Sequence, residues 1–309
     1  MPEPPENTVP DGRDGVPPVG PLPEVGFPTV WDKWKLLGLL GRGGMGMVYE
    51  AMPADNPDAR PCAVKILSSY PGEPGFQQLV RRFTEREWQL AASIRHPNVI
   101  QIDHAGKGAD GRPYLAMELL ARPPLSALMA QFHEPHRAAG VALGLAKALV
   151  ALGAKNIVHR DIKPSNLLFR NVNDPPDQVI LTDLGIASGP GESFTGKGVF
   201  LGTLSYASPE QLISATSANH QSDIYSVGVI LFELLAGRLP FDEPANRTTT
   251  MFHEAKQRPK RLQPHRPDSP AILGDICQMC LDPDPLKRYE SAQDLADELQ
   301  QAIESTRPQ

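Results

Sequence analysis

The sequence predicts an α+β protein in which a small sheet-forming part precedes a larger, mainly helical part. Two observations support this prediction. Before about residue 120, short apolar and β-branched runs such as 62–67 and 114–120 have the length and composition of strands. From residue 135 onward, apolar residues recur at helical spacing, over 135–152, again after residue 222 and finally over 292–303.

The composition excludes several classes of protein. Across 309 residues, 36 acidic and 30 basic side chains give a formal net charge of −6, which leaves no basic field for nucleic acid or an anionic membrane. No apolar run approaches the roughly 18 residues of a membrane span, and the longest candidate, 227–236, contains Glu233. The first residues lack the pattern of a signal peptide. We therefore expect a cytoplasmic protein with no membrane segment in this chain and no nucleic-acid partner.

The cysteines favour the same interpretation. Cys62, Cys277 and Cys280 are an odd number without a disulfide framework, as is typical of a reducing compartment. Cys277 and Cys280 form a lone Cys-x-x-Cys inside an apolar helical pattern, with no second pair or histidine cluster beside it. We expect both thiols to pack in the core rather than to bind zinc.

The two ends of the chain differ from its middle. Residues 1–30 contain nine prolines, five acidic residues and one arginine, so they cannot bury enough apolar surface to fold. We expect a disordered, proline-rich leader over 1–30, a folded domain over 31–304 and a short tail over 305–309. A docking role for the leader is an alternative that its composition leaves open.

The folded part begins with a strand and a glycine-rich turn. We predict a first strand over 31–40, then the glycines of 41–46, then a second strand over 48–51. Glycines allow the backbone of such a hairpin to approach phosphate groups and to donate N–H groups to them. Dinucleotide-binding folds share the Gly-x-Gly-x-x-Gly pattern, but there a helix follows the glycines, whereas here a strand does.

A lysine and a glutamate in the next two elements are candidates for an ion pair. Lys65 lies in the middle of the strand over 62–67, where burial is costly unless it is paired. Residues 81–96 have helical periodicity, and Glu87 falls in the apolar stripe of that helix. The alternatives are a lysine on the wet face of its strand and a glutamate at the rim of its helix. The other members of the stripe are Phe83, Leu90, Ala91 and Ile94.

The loop over 159–166 reads His-Arg-Asp-Ile-Lys-Pro-Ser-Asn and concentrates the chemistry of the chain. It contains a carboxylate (Asp161), two cations (Arg160 and Lys163) and an amide (Asn166) that can bind a metal. Pro164 prevents a helix from continuing through it, and polar loops on rigid supports often hold catalytic groups. A solvated surface loop is the alternative.

This loop resembles the catalytic loop of eukaryotic-like (Hanks-type) protein kinases, and Lys163 is typical of their serine/threonine branch. The sequence Thr-Asp-Leu-Gly over 182–185 resembles the metal-binding Asp-Phe-Gly motif, and Ser-Pro-Glu over 208–210 resembles Ala-Pro-Glu. The resemblance extends from residue 34 to about residue 303. The Gly-x-Gly-Gly-Met-Gly version of the glycine loop and the compact layout are most similar to bacterial members.

The resemblance implies a bilobal fold with a small antiparallel sheet and one helix in the N-lobe (about 31–117), a hinge (about 118–122) and a larger, mainly helical C-lobe (about 123–304). It also implies transfer of the γ-phosphoryl group of ATP to Ser/Thr hydroxyls of protein substrates, with Mg²⁺ as the metal and Mn²⁺ as the alternative.

The resemblance assigns five catalytic residues. Asp161 would orient the hydroxyl and take its proton, and Lys163 would neutralise the moving phosphoryl group. Lys65 would hold the α- and β-phosphates while paired with Glu87. Thr203 would form a hydrogen bond near Asp161 and Lys163.

The resemblance also assigns the groups that bind ATP and the metal. Asn166 and Asp183 would be the metal ligands. The backbone of Glu118 and Leu120 would bond to the edge of the adenine, and Met117 would lie at the back of the pocket. The expected nucleotide contacts are Leu40, Gly41, Gly43, Gly44, Gly46, Val48, Ala63, Lys65, Met117, Glu118, Leu120 and Leu168.

Three further residues would support the active site. Asp223 resembles an aspartate that accepts hydrogen bonds from the backbone of the catalytic loop, and Arg288 resembles an arginine that pairs with Glu210. Phosphate on Thr195 would lie within reach of Arg160, and we expect autophosphorylation within 193–205, which self-association would assist. Ser188 stands where many phosphorylation-dependent members have Arg or Lys, so we expect a modest gain rather than an absolute switch.

Two other functions are alternatives. A pseudokinase scaffold would bind nucleotide without transferring phosphate, but such proteins usually lose the equivalents of Lys65, Asp161 or Asp183, and all three are present. A small-molecule phosphotransferase generally lacks the substrate platform that 202–210 resembles.

Overall fold

The computed structural model describes residues 29–43, 46–67, 87–120, 123–171, 173–184, 204–246 and 248–306. These residues form two lobes. A six-stranded antiparallel sheet with one helix makes up the first lobe, and a mainly helical bundle makes up the second. The α+β, two-lobed fold class predicted from the sequence is therefore confirmed.

The sheet of the first lobe has the strand order β1-β2-β3-β4-β6-β5. All of its neighbouring strands are antiparallel. The strands are β1 (Thr29–Trp31), β2 (Trp34–Gly43), β3 (Gly46–Pro53), β4 (Cys62–Leu67), β5 (Ile102–Lys107) and β6 (Pro113–Glu118).

The predicted single first strand is in fact two strands joined by a tight turn. Asp32 adopts a left-handed conformation with φ of 54°, which aspartate tolerates better than most residues, and the chain reverses there. Thr29 and Val30, which the sequence interpretation placed in the leader, pair with β2 as part of β1. The rest of the leader lies outside the described residues.

The two faces of the sheet have different roles. Val48 pairs with Lys65, and Ala63 pairs with Met117. Because paired residues and alternate residues of a strand share a face, these four side chains lie on one face of the sheet. The opposite face carries a separate apolar cluster, formed by Trp31, Trp34, Leu36, Tyr49, Ala51, Val64, Ile66, Tyr114 and Ala116.

The described helix of the N-lobe is α1 (Glu87–Ala92), shorter than the predicted span of 81–96. Ala91 and Ile94 are buried as predicted, but Leu90 is 39% exposed, so its assignment to the buried stripe was wrong. Successive helical residues are about 100° apart around the axis, and with Ala91 turned to the core its neighbour faces outward. Phe83 and the side chain of Glu87 lie outside the described residues.

The C-lobe is built around two buried helices, α2 (Pro135–Gly153) and α4 (His220–Ala236). All seven α2 residues predicted to be apolar and inward-facing are buried. Asn219 begins α4 by accepting a hydrogen bond from the Ser222 amide at 3.1 Å, and Gly237 ends it at a φ of 67°. The other helices are α3 (Pro209–Ile213), α5 (Thr249–Ala255), α6 (Ala271–Cys280) and α7 (Ala292–Thr306).

Two features of the C-lobe bear on earlier expectations. Among the described residues, α2 alone is long and apolar enough to cross a membrane, and 67% of that stretch is buried inside the protein. Cys277 and Cys280 lie fully buried on α6, as core packing requires. A short hairpin of β7 (Leu167–Leu168) and β8 (Ile180–Leu181) is joined to Val99 by a bridge at Leu181 and leads into the site described below.

Candidate active site

The catalytic-loop sequence is held in place by an aspartate from α4. Asp223 is 2% exposed, and its carboxylate accepts hydrogen bonds from the amides of His159 at 2.7 Å and Arg160 at 2.9 Å. Burial raises the pKa of Asp223, and the neighbouring His159 with these two amides opposes that rise. Arg160 has a φ of 69°, a conformation that needs such support in a residue with a side chain. The predicted role of Asp223 is confirmed.

The carboxylate of Asp161 lies between a cation and an amide. Lys163 Nζ lies 3.0 Å from Asp161 Oδ1 and 2.8 Å from Oδ2. Asn166 Nδ2 donates to the Asp161 carbonyl at 2.8 Å and to its Oδ2 at 3.2 Å. The three-residue turn Pro164–Asn166 places the amide there. Asp161 is therefore oriented by two side chains from its own loop.

The carboxylate of Asp183 faces this loop from the β8 side. The amide and the side-chain hydroxyl of Thr182 both donate to the carbonyl of Asn166, at 2.9 Å and 3.0 Å. His159 Nε2 lies 2.9 Å from the Thr182 carbonyl. Asp183 itself has a φ of 57°. Two non-glycine residues of this site, Arg160 and Asp183, thus hold left-handed conformations, which cost of order 1–3 kcal/mol each and cluster at functional sites.

Lys65 reaches across from the sheet to Asp183. Its Nζ lies 2.7 Å from Asp183 Oδ1, and the lysine is 8% exposed. Burial by itself would raise the pKa of Asp183, but the ammonium of Lys65, with His159 and Lys163 nearby, holds that pKa below its usual value. Asp183 therefore stays ionised, and the two lobes meet at this contact.

Asp183 and Asn166 form a donor set that suits a hard divalent cation. Mg²⁺ typically binds to one or two carboxylates together with phosphate oxygens and water. The Nδ2 group of Asn166 donates to Asp161, and the amide oxygen of Asn166 is an atom of a type that can bind a metal. The residues present therefore fit a divalent metal, which Asn166 and Asp183 would hold.

The residues predicted to surround the nucleotide lie on the sheet face described above and at its edges. Ala63 and Met117 are 6% and 8% exposed, while Leu40 is 50% exposed at the open side. Val48 pairs with Gly41, and Leu168 is half-buried below.

One glycine of the hairpin is required by a close approach. A Cβ on Gly46 would collide with the carbonyl of Ile66 on β4, so only glycine fits there. Gly43 pairs with Gly46 in the described hairpin, and Gly44 lies outside the described residues.

The hinge requires a refinement of the prediction. The amide of Glu118 donates to the Gln101 carbonyl at 3.0 Å, so on this residue the carbonyl is the group left for an adenine edge. The Glu118 side chain accepts hydrogen bonds from Arg170 at 2.9 and 3.0 Å, and the half-buried Leu120 follows two residues later. The sequence reasoning missed Arg170, which carries no motif.

The far end of the 202–210 segment is anchored as predicted. Arg288 forms a two-point ion pair with Glu210, with distances of 2.8 and 2.9 Å, and the arginine side chain is fully buried. Sequence reasoning missed Gln211, whose amide donates to the Arg160 carbonyl at 3.0 Å and whose oxygen accepts from the Ser208 amide at 3.0 Å. The Ser-x-x-Gln capping pattern was the available signal.

The remaining predictions for this site stay predictions. Thr203, Ser188, Thr195 and the side chain of Glu87 lie outside the described residues. The pairing of Glu87 with Lys65 and the position of Thr203 beside Asp161 are therefore untested by the geometry.

Comparison with known proteins decides the family. Residues 34–300 match the family model described as the protein kinase domain. The chain belongs to the protein kinase family. The serine/threonine-protein kinase PknA of Mycobacterium tuberculosis is 32% identical over 294 residues, covering 93% of this chain and 64% of PknA. PrkC of Bacillus subtilis is 33% identical over 282 residues, covering 89% of this chain and 41% of PrkC.

A solved structure supports the fold. The crystal structure of the Mycobacterium tuberculosis PknI kinase domain has a TM-score of 0.65 at 23% identity, covering 90% of this chain and 99% of that one. This kinase domain spans less than two thirds of the length of PknA and PrkC. Protein kinases as a family use ATP and a divalent metal, and the residues assembled here suit both.

Proposed function

We propose that this kinase domain is a serine/threonine protein kinase that transfers the γ-phosphoryl group of Mg-ATP to hydroxyls of protein substrates. The observation that carries the proposal is the contact of Lys65 with Asp183 at 2.7 Å, beside the carboxylate of Asp161. These charges come from three separate parts of the sequence. Lys163, two residues after Asp161, and relatives named serine/threonine-protein kinases support the choice of acceptor.

The chemistry of this transfer needs alignment and charge stabilisation more than covalent participation by the protein. A divalent metal held by Asn166 and Asp183 would supply positive charge to the phosphate oxygens. Lys65, which the sheet holds rigidly, binds the phosphates that are not transferred. When nucleotide and metal are present, we expect its contact with Asp183 to be exchanged for phosphate oxygens.

Asp161 and Lys163 act on the acceptor side. Asp161 orients the incoming hydroxyl and accepts its proton as the new bond forms. Lys163, 2.8 Å from Asp161 Oδ2, stabilises the negative charge on the phosphoryl group in transit. Asn166 keeps the carboxylate of Asp161 in position through its amide group.

Transfer to protein is the direct test. Purified protein is incubated with labelled ATP, Mg²⁺ and a generic Ser/Thr-containing protein, and Asp161→Asn is compared with Asp275→Asn, an exposed position on α6. We expect transfer by the wild type and Asp275→Asn, and a loss of about 100-fold or more in Asp161→Asn. Nucleotide binding without transfer, equal in wild type and Asp161→Asn, would instead identify a scaffold. Replacing Mg²⁺ by Mn²⁺ in the same assay tests the metal.

Autophosphorylation follows from the same activity. Arg160 lies on the catalytic loop, and the segment over 193–205 contains Ser and Thr hydroxyls. Mass spectrometry of wild-type protein should find phosphate within 193–205, whereas Asp161→Asn should carry none. If two copies pair for this step, the rate per molecule will rise with protein concentration. An unmodified segment in active protein would contradict this part of the proposal.

A further inference from the structure

A fully buried lysine lies in the C-lobe, away from the residues that contact ATP. Lys256 follows the last residue of α5 and is 0% exposed. Its Nζ donates a hydrogen bond to the carbonyl of Ser205 at 2.7 Å. The same ammonium lies 4.0 Å from the ring centroid of Phe241 and 5.2 Å from that of Tyr225. None of the steps described above uses this side chain.

Burying this ammonium is costly. Lysine is almost never fully buried without a partner, and removing its charge from water is unfavourable unless other groups replace the water. Here a carbonyl and two aromatic faces do so. Burial lowers the pKa of Lys256 well below its usual value, and the nearby carboxylate of Glu243 opposes that shift. An apolar residue would fill the same space at lower cost, which points to a role in placing Ser205.

The segment that Lys256 holds is only partly attached to the main core. Tyr206 is tied to α4, because its carbonyl accepts a hydrogen bond from Ser226 Oγ at 2.9 Å and its hydroxyl donates to Glu233 at 2.7 Å. Leu204 and Ala207 pack in a small apolar cluster with Phe241, rather than with the large cluster around α2 and α4. The hydroxyl of Ser205 donates to Glu243 at 2.8 Å. Both the carbonyl and the hydroxyl of Ser205 are thus bonded to side chains from 243–256.

Tyr225 links this anchor to the one at the other end of the segment. Lys256 lies over its ring at 5.2 Å and the Arg288 guanidinium at 4.9 Å, and Arg288 carries the ion pair with Glu210. The stretch over 205–210 is therefore fixed at both ends by buried cations that share one aromatic ring. Leu204, which precedes this stretch, follows Thr203 in the sequence. The resemblance to protein kinases places Thr203 near the acceptor hydroxyl.

We propose that Lys256 is a positioning residue that fixes residues 204–208 as the surface on which the acceptor protein lies. This inference rests on the proposed protein kinase activity and deepens it, because it concerns only the acceptor side of the site. Removal of the ammonium will loosen the segment at Ser205, although Tyr206 stays tied to α4, and will weaken acceptor binding while the nucleotide side stays intact.

The test distinguishes an effect on acceptor binding from an effect on nucleotide binding. Lys256→Met is compared with a control, Lys260→Met. The control also removes one lysine charge, but from an ion pair with the exposed Asp242. For Lys256→Met, we expect the KM for a peptide acceptor to rise about tenfold, as for the loss of one buried hydrogen bond. The KM for ATP and the rate of ATP hydrolysis without acceptor will stay at the wild-type values. Lys260→Met will behave as the wild type in all three measurements.

A second variant keeps the test decisive if Lys256→Met does not fold. Phe241→Leu removes the closer aromatic ring but keeps an apolar side chain, and we expect a smaller rise in the peptide KM with ATP hydrolysis unchanged. An unchanged peptide KM in the folded variants overturns the inference, as does an equal fall of peptide transfer and ATP hydrolysis, which marks a purely structural lysine. A wild type that hydrolyses ATP but modifies no protein overturns the proposed function and this inference with it.

Discussion

Two ion pairs of this kinase domain are built in opposite ways: the Lys65–Asp183 pair, which the structure revealed, and the Arg288–Glu210 pair, which was predicted. Lys65 contacts one oxygen of Asp183 at 2.7 Å, and the Asp183 side chain is 40% exposed. Arg288 contacts both oxygens of Glu210 at 2.8 and 2.9 Å, and the arginine side chain is 0% exposed. The guanidinium also donates to the carbonyls of residues 221, 282 and 283.

The difference separates a contact that can be exchanged from one that is permanent. A single contact to a partly exposed carboxylate is easily replaced by phosphate and metal, as phosphoryl transfer requires. The buried guanidinium of Arg288 is bonded to a carboxylate and to three carbonyls, and no ligand offers the same set of contacts. Removing one partner of this ion pair leaves the other charge buried and uncompensated. Activity should therefore depend on the Lys65 pair, and stability on the Arg288 pair.

The largest expected effect is the loss of stability on removing Arg288. Arg288→Met leaves Glu210 buried without its cation, and we expect the free energy of unfolding to fall by about 3–5 kcal/mol. Urea unfolding followed by circular dichroism measures it. Arg238→Met, which breaks an exposed pair with Asp242, is the control and should leave the midpoint unchanged. A loss below about 1 kcal/mol for Arg288→Met would remove the distinction between the two pairs.

Removal of Lys65 should show the reverse pattern. Lys65→Met deletes the cation that we propose binds the phosphates, and we expect kcat for peptide phosphorylation to fall about 10²–10³-fold, as for other preorganised charges. Because Asp183 is partly exposed, the free energy of unfolding should change by less than about 1 kcal/mol. Lys147→Met, at an exposed pair with Asp177, controls for loss of charge. Equal losses of activity and stability would contradict this assignment.

The sequence predicted those parts of the site whose chemistry is carried by local motifs. Asp161, Lys163 and Asn166 lie within six residues of one another, so their meeting follows from the loop itself. Lys65 and Asp183 were assigned to one nucleotide–metal site only by resemblance to a family, and the structure brings their side chains into direct contact.

What the sequence did not predict depends on contacts between distant elements. Lys256 and Arg170 lie in no motif, and their partners Ser205 and Glu118 are far away along the chain. The break between β1 and β2 depends on one left-handed residue, Asp32, inside a run of strand-forming residues. Periodicity cannot detect a single dihedral angle, and this explains why two strands were predicted as one.

Acid should weaken the ion pair between Arg288 and Glu210 in a defined pH range. Arg288 and Ser222 hold the pKa of Glu210 below its ordinary value of 4.5 although burial opposes them. The carboxylate therefore stabilises the fold above the pKa of the unfolded chain, and this contribution is lost as pH falls through the lowered pKa. Between about pH 5 and about pH 3 the wild type should lose more stability than Glu210→Gln. If the free energy of unfolding falls equally with pH in the wild type and in Glu210→Gln, the lowered pKa of Glu210 is contradicted.

The smallest expected effect is at the hinge, in the ion pair between Arg170 and Glu118. This pair has two contacts, like the Arg288–Glu210 pair, but it is partly exposed to solvent, like the Lys65–Asp183 pair. Arg170 contacts both oxygens of Glu118, yet their side chains are 39% and 23% exposed. If burial rather than geometry decides permanence, Arg170→Met will lower the free energy of unfolding by no more than about 1 kcal/mol. The KM for ATP will stay near the wild-type value, because the Glu118 backbone still pairs with Gln101. A loss of about 3 kcal/mol, as for Arg288→Met, would show that two-point geometry, and not burial, makes an ion pair permanent in this kinase domain.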